Sequence, residues 1–111
     1  MIKKYTTKDS GKRQDYISGM RRDVQDGKPR YDLCDRKMIR RWAELMARGA
    51  EKYGEENWRL ADSKEELNRF KASFLRHAFQ WMNNDNDEDH AAACIFNLAA
   101  AETVKIKINE K

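Results

Sequence analysis

Along the chain, apolar residues recur at helical spacing in three blocks and are sparse in the first two dozen positions. Ile39, Trp42, Met46, Gly49 and Tyr53 fall three or four apart, as one stripe of a 3.6-residue helix does. This predicts a first helix from about Arg36, capped by Asp35, to Tyr53, with Gly54 as its stop. Gly49 within the stripe predicts close approach of another backbone. Ser63, three residues before Glu66, forms a capping box and opens a second helix to about Met82. Leu67, Phe70, Phe74, His77 and Trp81 make its inner stripe. A polar, acidic connector, NNDNDEDH (83–90), leads to a third helix from about Glu88 to Lys105, so alanine-rich that it can pack closely on several sides. Period-two alternation is confined to the final VKIKI. The expected fold is all-α, a small bundle of three to four helices over residues 25–111, preceded by an extended basic arm over residues 1–24.

Composition adds two limits. With 111 residues the chain reads as one domain with a small core, which a homo-oligomer, dimer or tetramer, would enlarge. No apolar run reaches membrane-spanning length and the N-terminus has no apolar leader, which points to a cytoplasmic protein with no membrane partner. Cys34 and Cys94 lack metal-ligand spacing and read as buried thiols. Charge is uneven: residues 1–40 hold 12 Lys/Arg against 6 Asp/Glu, and residues 41–111 hold 11 against 13. A basic front end attracts phosphates, of nucleotides or of nucleic acid.

Candidate chemistry lies in the carboxylates. Glu44, Glu51, Glu55 and Glu56 cluster around the first helix, and Asp85, Asp87, Glu88 and Asp89 precede the third. If the two groups converge, cations must occupy the cluster, and Mg2+ held by one or two carboxylates plus phosphate oxygens is the usual solution. His77 sits on an apolar stripe, while His90 and Asn97, seven apart, share a face of the third helix. A buried Asn97 needs a partner, on a neighbouring helix or a base edge. Neither a P-loop nor a dinucleotide-binding, GxSxG or HExxH pattern is present.

Four segments in order carry a resemblance: DGKPRYDL, ARGAEKYGEENW, RHAFQW and DHAAACIFNLAAAE. Across about residues 19–105 they resemble a phage and prophage family named for dATP/dGTP diphosphohydrolases, in its N-terminal-domain form. That family is similar to the MazG-like all-α nucleoside triphosphate pyrophosphohydrolases, which are helical oligomers using Mg2+ or Mn2+. The resemblance implies host-cytoplasmic hydrolysis of a purine deoxynucleotide to its monophosphate and pyrophosphate.

On that reading Glu44, Glu51, Glu88 and Asp89 would hold the metal, and Glu51, Glu55 and His77 would take part in catalysis. Lys28 and Arg30 would meet phosphate, and Tyr53, Asn57, Trp58, His90 and Asn97 would contact the nucleotide. MazG-like enzymes carry ExxE on one helix and ExxD on the next. Here Glu44 and Glu51 are seven apart, and Ala92 and Asn97 stand deeper in the third helix. The alternatives are a non-catalytic nucleotide-sequestering protein of the same fold, or a nucleic-acid- or protein-binding accessory module using the basic arm. The chain shows no recognisable nucleic-acid-binding signature, which disfavours nucleic acid as the partner.

Overall fold

A computed structural model describes residues 5–110 in two compact units, one up to Leu33 and the other from Cys34. The first unit contains a feature the sequence pattern did not predict. Arg13–Asp15 (β1) and Arg21–Asp23 (β2) form an antiparallel hairpin, with Arg13 opposite Asp23 and Asp15 opposite Arg21. These two outer pairs have opposite charges, with Gln14 opposite Arg22 between them, and the Arg21–Asp15 bridge is 2.8 Å long. The hairpin leaves no period-two apolar signal because its faces are almost wholly exposed, so nothing imprints one. The arm is therefore in part a charge-paired hairpin. After Gly27, at φ +78, a short 3-10 turn over Tyr31–Leu33 ends the unit.

Three helices make the second unit: α1 (Arg36–Tyr53), α2 (Lys64–Met82) and α3 (His90–Glu110). The expected caps are present. Asp35 accepts from the Lys37 amide, and Ser63 and Glu66 form the capping box that starts α2. Asp89 caps α3 by accepting from the Ala92 amide, so that helix starts two residues later than expected. It then runs through VKIKI to Glu110, which makes that alternation helical.

α3 is the centre of the unit. Its Ala92, Ala93, Ala100, Ala101 and Val104 are buried, because alanines let α2 and α1 lie close on two sides. α2 runs antiparallel to it. At one end Leu67 joins Ala61, Ala101 and Val104 in an apolar cluster, against which Phe70 and Ile108 pack. At the other end His77 meets His90.

Several expectations about burial need correction. α1 buries no residue fully, and the helix it mainly rests on is α3. Its covered face is Met38, Trp42, Leu45, Met46 and Gly49, while Ile39 and Tyr53 are 47% and 63% exposed. The middle of the expected stripe, Trp42, Met46 and Gly49, is thus covered, and its two end members are not. A side chain added at Gly49 would meet nothing within 4 Å, so no other backbone among the described residues approaches there closely. Trp81, expected inside, is 60% exposed. Cys34 is exposed rather than buried, and Cys94 is half-buried, its thiol directed at the Phe74 carbonyl and held protonated by burial. Among the described residues no helix is long and apolar enough to cross a membrane.

Candidate functional site

The polar end of the α2–α3 interface is where titratable groups gather. His77, on the last turns of α2, is buried, and so is His90, the first residue of α3. Their Nδ1 atoms lie 2.8 Å apart. Asp87, in the connector, accepts a hydrogen bond from His90 Nε2–H at 2.8 Å. That contact places the proton of His90 on Nε2, so its Nδ1 is an acceptor and His77 Nδ1–H donates to it. Burial, followed by the charge of Arg76, holds the His77 imidazole below its ordinary pKa. The hydrogen bond from His90 in turn holds the Asp87 carboxyl low.

Beside the histidines, Arg41 of α1 clasps Asp89 with two bonds, Nε and Nη2 to the two carboxylate oxygens, at 2.8 and 2.7 Å. This guanidinium pushes Asp89 down to about 2. Glu88, between Asp87 and Asp89, is exposed. One ligand-capable atom from each of His77, Glu88 and His90 lies within 4.8 Å of the other two. Arg41, Trp81, Asp85, Asp87 and Glu88 are among the walls of an open, shallow pocket over this corner. The arrangement offers the buried imidazoles, the exposed carboxylates of Asp85, Asp87 and Glu88, and a guanidinium at one solvent-facing corner.

Of the residues singled out from sequence, the structure brings His77, His90, Glu88 and Asp89 together here. Glu44 is on α1 and pairs with Arg40 at 3.0 Å. Glu51 lies ten residues beyond Arg41, roughly 15 Å further along the helix axis, and is exposed. Asn97 is buried but turned back on its own helix, its Nδ2 donating to the Ala93 carbonyl at 2.8 Å. Its partner is thus neither of the two expected.

A second corner forms where α1 ends. Gly54, at φ +93, breaks the helix, and Glu56 takes a left-handed conformation that costs a non-glycine residue about 1 kcal/mol. The chain then enters a 3-10 turn, Asn57–Leu60, with Asn57 exposed. Trp58 packs edge-on against Phe96 at 5.9 Å and has Arg59 over its ring at 4.4 Å. Glu55, Glu56, Trp58 and Arg59 line a shallow depression with Met46 and Ala50. Tyr53 remains exposed, with Lys52 at 5.3 Å from its ring centre. Lys28 and Arg30 belong to the first unit, where Arg30 is paired in two bonds with Asp32 and Lys28 stands 3.8 Å from Asp23.

Sequence reasoning missed Arg41 and the role of Asp87. The i,i+3 spacing of Asp87 and His90 across a helix start was a usable signal. Nothing in the spacing of Arg41 marks a partner 48 positions away.

The fold and this corner define a small helical protein with a polar, ligand-capable end on its central helix pair. The family model described as dATP/dGTP diphosphohydrolase, N-terminal, matches residues 18–111, and the chain belongs to that family. No curated protein and no solved structure matches it.

Proposed function

We propose that the protein hydrolyses purine deoxynucleoside triphosphates to monophosphate and pyrophosphate with a divalent metal, at the histidine corner. The family match over most of the chain carries this reading, and the corner supplies groups suited to it. The carboxylates of the corner, as distinct from its imidazoles, suit Mg2+ or Mn2+, which bind through one or two carboxylates and complete their shell with phosphate oxygens. Glu88 is an exposed carboxylate beside the histidines, and Asp89 would join it once Arg41 turns away. The ion would neutralise phosphate charge and lower the pKa of the attacking water.

The protein's own residues have distinct tasks in this proposal. Arg41, now forked onto Asp89, would exchange that carboxylate for a phosphate of the same planar geometry. His77, buried and disposed to be neutral, would accept the proton that the water gives up. Trp81, exposed at the pocket wall, offers a face on which a purine stacks. Tyr53 is a second exposed ring, whereas Trp58 is already engaged by Phe96 and Arg59. Glu51 and Glu55 stand at the far corner. They would enter the reaction only if a second copy brought its α1 end to this one.

A homodimer or tetramer is part of the proposal, because α1 is covered on one side only and Ile39, Leu75, Phe79 and Leu98 are exposed. Incubation with each of the four deoxynucleoside triphosphates and Mg2+ or Mn2+ tests the reading. The expected outcome is monophosphate and pyrophosphate in equal amounts, faster from purines. Tight binding with the nucleotide recovered intact would replace hydrolysis by sequestration. The Arg41–Asp89 clasp is the observation that favours this second reading, since it occupies one of the corner's carboxylates.

A further inference from the structure

The only two histidines of the chain, 13 residues apart on different helices, face each other in the interior. Burying two imidazoles against one another gains little for stability. A single hydrogen bond contributes about 1 kcal/mol net, and apolar side chains at the same positions would do as well. Beside them stands the carboxylate of Glu88, and behind His90 stands the carboxylate of Asp87, holding its outer nitrogen. A carboxylate that fixes the tautomer of one imidazole, so that the other nitrogen presents its lone pair inward, is the usual support of a metal-bound histidine.

We propose that His77, Glu88 and His90 form a site for one borderline divalent transition metal of the Zn2+ class, through His77 Nδ1, His90 Nδ1 and a Glu88 oxygen. Two imidazoles and a carboxylate select such an ion over Mg2+, which prefers oxygen throughout. Ligand atoms in a tetrahedral zinc site lie about 3.3 Å apart, given bonds of about 2.0 to 2.1 Å. The Nδ1 pair at 2.8 Å must open by roughly half an ångström, and the Glu88 oxygen must draw in from within 4.8 Å. Glu88 is exposed and free to do so. His90 already has its lone pair on Nδ1 and changes nothing. His77 moves its proton from Nδ1 to Nε2 and stays neutral, so the ion replaces the proton that now joins the two rings. Three protein ligands leave a coordination position for water or a phosphate oxygen, as open zinc sites do.

The inference does not rest on the hydrolase reading, since an ion on His77 Nδ1 makes that residue a ligand in place of a base, and its test uses no nucleotide. The metal-free protein is titrated with Zn2+ and with Co2+, and the imidazole 15N resonances are followed. With two histidines in the chain, every signal belongs to the site. The expected result is one ion per chain, a visible Co2+ spectrum, and displacement of the Nδ1 resonances of both rings, with excess Mg2+ failing to compete. Glu88→Gln, at an exposed position that leaves the fold intact, weakens binding at least tenfold, and Asp87→Asn weakens it about 10- to 100-fold. No uptake by folded wild-type protein, or uptake that Glu88→Gln and Asp87→Asn leave unchanged, overturns the proposal. Uptake without any nucleotide turnover would sustain it while removing the hydrolase. Turnover with Mg2+ by a chain that takes up neither Zn2+ nor Co2+ would do the reverse.

Discussion

The two ends of the α2–α3 interface are built on opposite principles. At one, Leu67 closes on Ala61, Ala101 and Val104, with Phe70 and Ile108 around them. At the other, ten residues and roughly 15 Å along α2, His77 faces His90, with Asp87, Glu88 and the Arg41–Asp89 clasp beside them. The apolar end gains from every methyl group it removes from water. The polar end must first desolvate two imidazoles, and its hydrogen bonds return only part of that cost. The stabilising burial therefore resides at one end, and the ligand-capable groups gather at the other.

The most severe way to break the comparison is at the apolar end. Leu67→Ala should lose about 2 to 4 kcal/mol, measured by urea unfolding, because a small unit cannot refill the cavity. A loss well under 1 kcal/mol would move the stabilising centre elsewhere. At the polar end, His90→Leu alone leaves the His77 Nδ1–H buried without an acceptor and should cost about 1 to 3 kcal/mol.

A smaller effect is expected on α1, at the half-buried Gly49. Gly49→Ala has space for its methyl and removes a mid-helix glycine, so the isolated chain should gain about 0.5 to 1 kcal/mol. Loss of stability together with dissociation on a sizing column would show instead that a second copy seats against Gly49.

The smallest effect is at the α2 start, next to the apolar end. Bonds from the Ser63 hydroxyl and the Asp62 amide hold the Glu66 carboxyl below its ordinary value. A carboxylate with a depressed folded pKa adds stability above its unfolded value, and this is lost as pH falls through the folded one. The difference between wild type and Glu66→Gln should therefore be present at neutral pH and vanish in acid. A difference that persists unchanged in acid would rule out the carboxylate as its source.

How much of this was legible in the sequence follows the same division. Caps and breaks were readable, because Asp35, Ser63 with Glu66, and Gly54 act on backbone groups within a few residues. The α2 stripe was readable from Leu67 to His77, where α3 covers it, and failed at Trp81, which lies past the first residue of α3. α1 was placed correctly, and Trp42, Met46 and Gly49 were read rightly as its covered face. Ile39 and Tyr53 are instead exposed, since a helix that mainly rests on α3 has little burial at its edges. The hairpin was invisible because cross-strand charge pairs leave no hydrophobic pattern. At the candidate site, His77, His90, Glu88 and Asp89 were each singled out from sequence. Their meeting depends on antiparallel packing of α2 on α3, which no local spacing encodes. Arg41 was missed for the same reason.

The central claim is that the histidine pair is kept for chemistry rather than for stability, and the double variant His77→Leu/His90→Leu tests it most directly. Two leucines remove both ring partners at once and leave no orphaned donor. The account predicts a melting temperature at or above that of wild type, together with loss of metal-dependent pyrophosphate release from purine deoxynucleotides. A variant that melts far below wild type while its folded fraction retains full turnover would contradict it, and would move the chemistry to the Glu51–Glu55 corner.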